Sequence, residues 1–194
     1  MAELIPESYV SRLNLEAIFG RIAPLQVDLG CGDGSFVSAL AKQTPDHNFL
    51  GIERLAGRVR TTTRKAEKIP NLRVLRVETS YAVQYLLPAG SVNVFHLLFP
   101  DPWPKRRHQR RRVVTGDFLA AIAKALAQSG SFRVVTDQLD YFEQIGSLLQ
   151  QTADFEIVRG GGDNHLPHST FERRFTAAGA QIYRLELRKI SPLA

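Results

Sequence analysis

Two clusters of side chains in this 194-residue sequence have the types and spacing to do chemistry. The first is Asp28-Leu29-Gly30-Cys31-Gly32-Asp33-Gly34, which leads from an apolar run into Ser35-Phe36-Val37-Ser38-Ala39-Leu40. Glycine has no Cβ, so such a backbone can turn tightly and lie against a ligand. A helix starting there offers free N–H groups. The spacing is G-x-G-x-G, not the G-x-G-x-x-G of dinucleotide sites. It therefore suits a ligand without a pyrophosphate, one that needs room for a charged tail. Glu53 ends the next β-branched run, 19 residues after Gly34, and is of the right type and place to hold ribose hydroxyls. A nicotinamide site and a purely structural turn remain the competing readings at this point.

The second cluster is Phe99-Pro100-Asp101-Pro102-Trp103-Pro104-Lys105-Arg106-Arg107-His108-Gln109-Arg110-Arg111-Arg112. Three prolines in five residues fix φ and remove N–H donors, so neither strand nor helix can run through them. A rigid loop is expected, with Asp101 just past a strand end and Trp103 beside it. The loop's six cations, Lys105, Arg106, Arg107, Arg110, Arg111 and Arg112, equal the whole net charge of +6. Basic character is thus read as one local patch where a polyanion docks. A merely solvated charged face is the alternative.

Both clusters need strands to place them. Apolar, β-branched runs at Leu25–Leu29, Phe49–Glu53, Leu72–Val77, Val92–Phe99, Ser131–Thr136, Glu156–Arg159 and Gln181–Leu187 read as strands. Helical spacing marks Gly34–Gln43, Leu55–Lys68, Ser80–Leu87, Gly116–Gln128 and Gln138–Gln151. Alternation of this kind gives a three-layer α/β fold around a mostly parallel seven-stranded sheet. The last two strands, separated by a Gly160–Gly162 loop and a short Phe171–Ala178 segment, are expected as an antiparallel edge hairpin. In such sheets ligands bind beyond the carboxyl ends of the strands, where strand order reverses. Asp28, Glu53, Glu78, Asp101 and Asp137 all fall at strand ends. Burying five unpaired carboxylates would be costly, so a polar site explains them better than a core does.

Asp28 to Gly34 resembles the first motif of class I S-adenosylmethionine-dependent methyltransferases. The proline loop closely resembles the F-P-D-P-W-x-K-x-R-H-x-x-R-R signature of the bacterial tRNA (guanine-N7-)-methyltransferases. Further matches follow in the same order: Gly51-Ile52-Glu53, then Val135-Thr136-Asp137 with Tyr141, and Ser169-Thr170-Phe171-Glu172. The resemblance implies a Rossmann-like class I fold and transfer of a methyl group from S-adenosylmethionine to N7 of a variable-loop guanine in tRNA. It places Asp28, Gly30, Gly32, Gly34, Glu53, Glu78 and Asp101 at the cofactor. It gives Asp101 a catalytic role as well, electrostatic and positioning, because N7 carries a lone pair and no proton to remove. Lys105, Asp137, Ser169, Thr170, Phe171 and Glu172 fall to the substrate guanine, the carboxylates accepting from its N1–H and N2–H₂. Arg106, Arg107, Arg110, Arg111 and Arg112 are expected on RNA phosphates. Trp103 has two readings, a base-stacking platform or a plug on the core. The sequence departs from the family at Ser169, where threonine is usual, at Glu78, and in a first strand that begins by Leu25 without a longer basic lead.

The remaining features set limits. The lone Cys31 has no internal partner, and Met1 to Val10 carry no apolar core, so a reducing, cytoplasmic setting without a signal peptide is expected. No apolar run approaches the ~20 residues of a membrane span. His47, His96, His108, His165 and His168 show no ligand spacing with Cys31, so no metal is expected. The whole chain reads as one domain, residues 1–24 forming a short extension, and as a monomer or homodimer with tRNA as partner. A non-catalytic RNA-binding protein of the same fold, and a methyltransferase on another substrate, are the competing functions.

Overall fold

The computed structural model describes residues 2–158 and 165–190. Eight strands form one sheet: β1 (Glu3–Leu4), β2 (Leu25–Leu29), β3 (Asn48–Glu53), β4 (Leu72–Arg76), β5 (Val92–Leu98), β6 (Leu126–Thr136), β7 (Phe155–Ile157) and β8 (Tyr183–Lys189). Their order is β1-β4-β3-β2-β5-β6-β8-β7. All pairings are parallel except those of β8 with β6 and with β7. The expected mostly parallel sheet with an antiparallel edge is therefore present. β1, which the sequence reading left in the extension, adds an eighth strand beside β4.

Helices α1 (Leu15–Phe19), α2 (Ser35–Gln43), α3 (Ala56–Ala66), α4 (Thr79–Tyr81), α5 (Gly116–Ala125), α6 (Leu139–Leu149) and α7 (Thr170–Ala177) connect and flank the strands. β2 and β3 are buried along their whole length, as strands covered on both faces must be. Phe36, Val37 and Leu40 of α2 and Val59 and Ala66 of α3 pack with Phe49, Leu72 and Val74 on one face. Phe118 and Ile122 of α5 and Tyr141 and Ile145 of α6 join Val27, Leu29, Phe95 and Phe132 on the other.

Two local departures have physical causes. Ser80–Leu87 is expected as one helix, but only Thr79–Tyr81 is α-helical, and a wider turn follows in which Leu87 N–H donates to the Ala82 carbonyl at 3.0 Å. The helix expected over Gly116–Gln128 ends at Ala125 because Leu126 already pairs with Val92; Ser129 then turns with φ 59 and the ladder resumes at Ser131. The expected Gly160–Gly162 loop and the end of the strand at Arg159 lie outside the described residues.

Strand order reverses between β2 and β5. The chain runs outward from β2 through β3 to β4, then returns to the other side of β2 at β5. The carboxyl ends of β2 and β5, with the glycine loop and the proline loop on them, are therefore neighbours at the switch point.

Candidate active site

Gly30, Gly32 and Gly34 all have positive φ, at 76°, 58° and 74°. At Gly34 the requirement is also steric, since a Cβ there would lie 2.4 Å from Thr62 Cγ2. Thr62, on α3, donates its hydroxyl to the Gly32 carbonyl at 3.0 Å and so fixes the loop from behind. Glu53, buried at the end of β3, accepts from Gly32 N–H at 3.2 Å and from Leu55 N–H at 2.8 Å, while Arg58 stands 3.8 Å from its Oε2. The loop and the expected ribose carboxylate are thus one hydrogen-bonded unit.

Asp28 is buried at the mouth of this loop, and its carboxyl has no hydrogen-bond donor among the described residues. Burial first, and then the nearby Glu53 and Asp33 carboxylates, push its pKa up to about 8. Asp33 behaves oppositely. Burial opposes ionisation there too, but donors from Ser35 and Lys65 prevail and bring it down to about 2. Burial, and then the nearby Asp28 and Glu53, push the Cys31 thiol up, so it packs as an apolar group under the loop.

Asp28, Gly30 to Asp33, Ser35, Phe36 and Leu98 line a small cavity whose remaining wall is Ser169, Thr170 and Phe171. Thr170 Oγ1 lies 2.8 Å from Ser35 Oγ and 3.2 Å from Asp33 Oδ2, tying the start of α7 across the glycine loop. Ser169 is buried as the N-cap of α7, its hydroxyl accepting from Glu172 N–H at 3.1 Å. The S-T-F-E motif therefore has half of a capping box in it. Serine in place of threonine keeps that bond. Glu172 is buried and ion-paired to Arg184, with His168 3.8 Å away.

The proline loop has a different character. Phe99 and Trp103 adopt φ of 51° and 44°, unusual for large side chains. Phe99 N–H donates to the Val135 carbonyl at 2.7 Å, and its ring packs 5.3 Å from Phe175 of α7, which joins this loop to the cavity wall. Asp101 is exposed and makes no hydrogen bond or ion pair among the described residues. Arg106–Arg111 then form a 3₁₀ helix, where a loop was expected. Lys105, Arg106, Arg107, Arg110 and Arg111 are exposed. Trp103 is half-buried, its ring 5.9 Å from His108 and capped by the Arg111 guanidinium at 5.0 Å.

Arg112 stands apart from the other five cations. Its side chain is 2% exposed. It donates to the Pro102 carbonyl at 2.8 Å, to Gln144 at 2.6 Å and to Asp140, and lies 4.5 Å over the Tyr141 ring. A guanidinium so engaged holds the loop against α6 and is not presented to a phosphate, which corrects the expectation for this residue. Tyr141 completes the clamp, its hydroxyl accepting from Val114 N–H at 3.1 Å.

The structure thus gathers Asp28, Gly30, Gly32, Ser169, Thr170 and Phe171 around one cavity, with Gly34 and Glu53 supporting it. Glu78 is exposed and caps α4 by accepting from Tyr81 N–H at 2.8 Å. Asp101, Lys105 and Asp137 lie outside the cavity lining, at the ends of β5 and β6. Sequence reasoning missed Thr62, Lys65, Arg58 and Arg184. Each acts on a motif residue from another element, and no local pattern announces such a contact. His96, buried beside Phe36, is held neutral with its pKa near 3 by burial and by Arg133. Among the described residues no cluster of His, Cys, Asp and Glu could hold a metal ion, and no helix is long and apolar enough to cross a membrane.

A methyltransferase family model matches residues 22–185. The tRNA (guanine-N(7)-)-methyltransferase of Leifsonia xyli subsp. xyli is 38% identical over 92% of this chain and 82% of its own length. The enzyme of the same name from Halorhodospira halophila is 35% identical over 93% and 80%. Among solved structures, the 16S rRNA methyltransferase KamB superposes with a TM-score of 0.66 at 18% identity, over 92% of this chain and 93% of its own, a likeness of fold. With its glycine loop, proline loop and strand order all in place, the chain belongs to the tRNA (guanine-N(7)-)-methyltransferase family.

Proposed function

We propose that this chain transfers the methyl group of S-adenosylmethionine to N7 of a guanine in the variable loop of tRNA. The observation that carries the reading is a donorless buried carboxylate, Asp28, under a glycine loop, with an exposed carboxylate and five exposed cations on the adjacent strand end.

The residues fit the cofactor. Asp28 lacks a cationic or N–H partner and faces a cavity, as a group awaiting an ammonium would. Glu53 is buried and pinned by two backbone donors, which pre-orients it toward ribose hydroxyls. Gly30 leaves open space where a Cβ would stand, and at Gly32 a Cβ would meet only the Gly30 carbonyl at 3.9 Å, so the ligand can approach the backbone. Bound there, S-adenosylmethionine supplies a methyl group on a positively charged sulfur. Glu78 lies at the end of β4 toward the adenine side, its carboxylate shared with the α4 cap.

On the substrate side, guanine N7 needs alignment and not deprotonation. Asp101 stabilises the positive charge that develops on the base. Asp137 and Glu172 accept from N1–H and N2–H₂, a pattern adenine cannot satisfy. Arg184 and His168 both approach Oε1 of Glu172, which leaves its second oxygen for the base. Lys105 meets guanine O6 or a phosphate, and Arg106, Arg107, Arg110 and Arg111 hold the backbone.

Incubation of unmodified tRNA with the protein and methyl-labelled S-adenosylmethionine tests the reading. Label should enter tRNA, and cleavage specific for 7-methylguanine should map it to one variable-loop position. Absence of label, or label at another atom, would overturn it.

A further inference from the structure

The proline loop is not the only strongly basic surface. Residues 54 to 68 contain Arg54, Arg58, Arg60, Arg64, Lys65 and Lys68 against a single acid, Glu67. All six are exposed, on or beside α3, whose inner face is Val59, Thr62 and Ala66. Whole-chain charge conceals this region because acidic residues elsewhere balance it.

The six divide by direction. Arg58 and Lys65 turn toward the site: Arg58 lies near Glu53 and 5.9 Å from the centre of the Phe171 ring, and Lys65 pairs with Asp33 at 3.1 Å. Arg60 and Arg64, one turn apart on the outward face, have no carboxylate partner among the described residues, nor have Arg54 and Lys68. Unpaired like charges on neighbouring turns weaken an isolated helix by a few tenths of a kcal/mol, so folding gives no reason for this array.

Its position supplies one. α3 packs over β4 and β3 on one face, whereas the proline loop is clamped by Arg112 to α6, which packs against β6 on the other face. β4 and β6 are four strands apart in the sheet, which at the usual strand spacing is on the order of 20 Å. The cavity lies at the ends of β2 and β5, which stand between β4 and β6 in the sheet. A compact anion cannot reach both, whereas a folded RNA lying across the cavity can.

We propose that α3, through Arg60 and Arg64 with Arg54 and Lys68 at its ends, is a second docking surface for the phosphate backbone of the substrate tRNA. The two surfaces straddle the cavity, so the RNA is held on both sides of the reacting base. This rests on the tRNA reading above.

The test is the affinity of an unmodified tRNA transcript for wild-type protein, R60A/R64A and R60K/R64K over a range of KCl concentrations, with S-adenosylmethionine affinity measured alongside. R60A/R64A should bind tRNA roughly tenfold more weakly, with the slope of log K against log salt shallower by about 1.5 for two lost contacts. R60K/R64K should recover most of both, and cofactor affinity should be the same in all three. Affinity and slope equal to wild type in R60A/R64A would overturn the proposal, and so would a loss of cofactor binding, which would mark a structural role. Wild-type protein that binds tRNA without methylating it would overturn the proposed activity but leave this comparison decisive for the surface.

Discussion

The glycine loop and the proline loop sit on adjacent strands, yet they are built on opposite principles. In the first, the groups are located by the surrounding fold: buried Glu53 by two N–H donors, Gly34 by the Thr62 side chain, and half-exposed Asp33 by Ser35 and Lys65. In the second, Asp101 and five cations stand in solvent, and only the loop's base is fixed, by Arg112. A small ligand taken from dilute solution needs a preformed pocket. A large polyanion needs a charged surface that can adjust. Substitutions in the two loops should therefore fail in different ways.

The largest difference is expected at Asp101. Asp101→Ala removes an exposed carboxylate without internal partners, so melting temperature and cofactor affinity should hold while turnover falls on the order of 10²–10³-fold. Equal turnover in the variant would remove Asp101 from the chemistry and leave the proline loop as a docking element only.

Gly34→Ala should do the reverse. It adds a methyl into Thr62 at a residue with φ 74°, combining overpacking with left-handed strain for a loss of roughly 2–4 kcal/mol. Denaturation would show that loss, and calorimetry would show weaker cofactor binding. A variant as stable as wild type would mean that the loop moves freely and that its geometry is not set by α3.

Neighbouring arginines carry the comparison inside one loop. Arg112→Ala leaves Asp140 and Gln144 without their partner and frees the loop from α6; with Asp140 half-exposed, about 2 kcal/mol is expected. Arg110→Ala should change stability by less than ~0.5 kcal/mol and reduce the salt slope of tRNA binding by about one. Similar behaviour of the two variants in both assays would erase the distinction between clamp and contact.

That pair also shows what a sequence can and cannot carry. The glycine spacing and the prolines were legible because each imposes a backbone demand readable within seven residues. Arg112 was not, since six cations within eight residues look alike until α6 arrives from 28 residues away. The α3 array was hidden by summing charge over the whole chain. Ser169 was read for a base contact although its S-x-x-E spacing also marks a helix cap, the role in which α7 places it. Strand positions followed from β-branched runs; β1 did not, because two residues leave no period to detect.

An effect graded with pH concerns Asp28, where the buried design has a measurable cost. Its folded pKa of about 8 lies above the ordinary 3.8 because burial, then Glu53 and Asp33, disfavour the charge. A raised carboxyl contributes fully to stability below pH 4, where both states hold the proton. The contribution declines as pH rises and is lost as pH passes about 8. Between those limits unfolding releases a proton, and the slope is at most about 1.4 kcal/mol per pH unit. Asp28→Asn should flatten this profile, gaining on wild type steadily from pH 5 to 8.5 in urea denaturation. Cofactor binding should run the other way, since an ammonium meeting Asp28 favours the carboxylate and expels its proton. Wild-type affinity for S-adenosylmethionine should therefore rise toward pH 8, with a proton release visible as a dependence of binding heat on buffer ionisation enthalpy, and Asp28→Asn should abolish that release. Parallel stability profiles and an unchanged proton release would show that Asp28 is charged in the free protein, and that the glycine loop resembles the proline loop more than its burial implies.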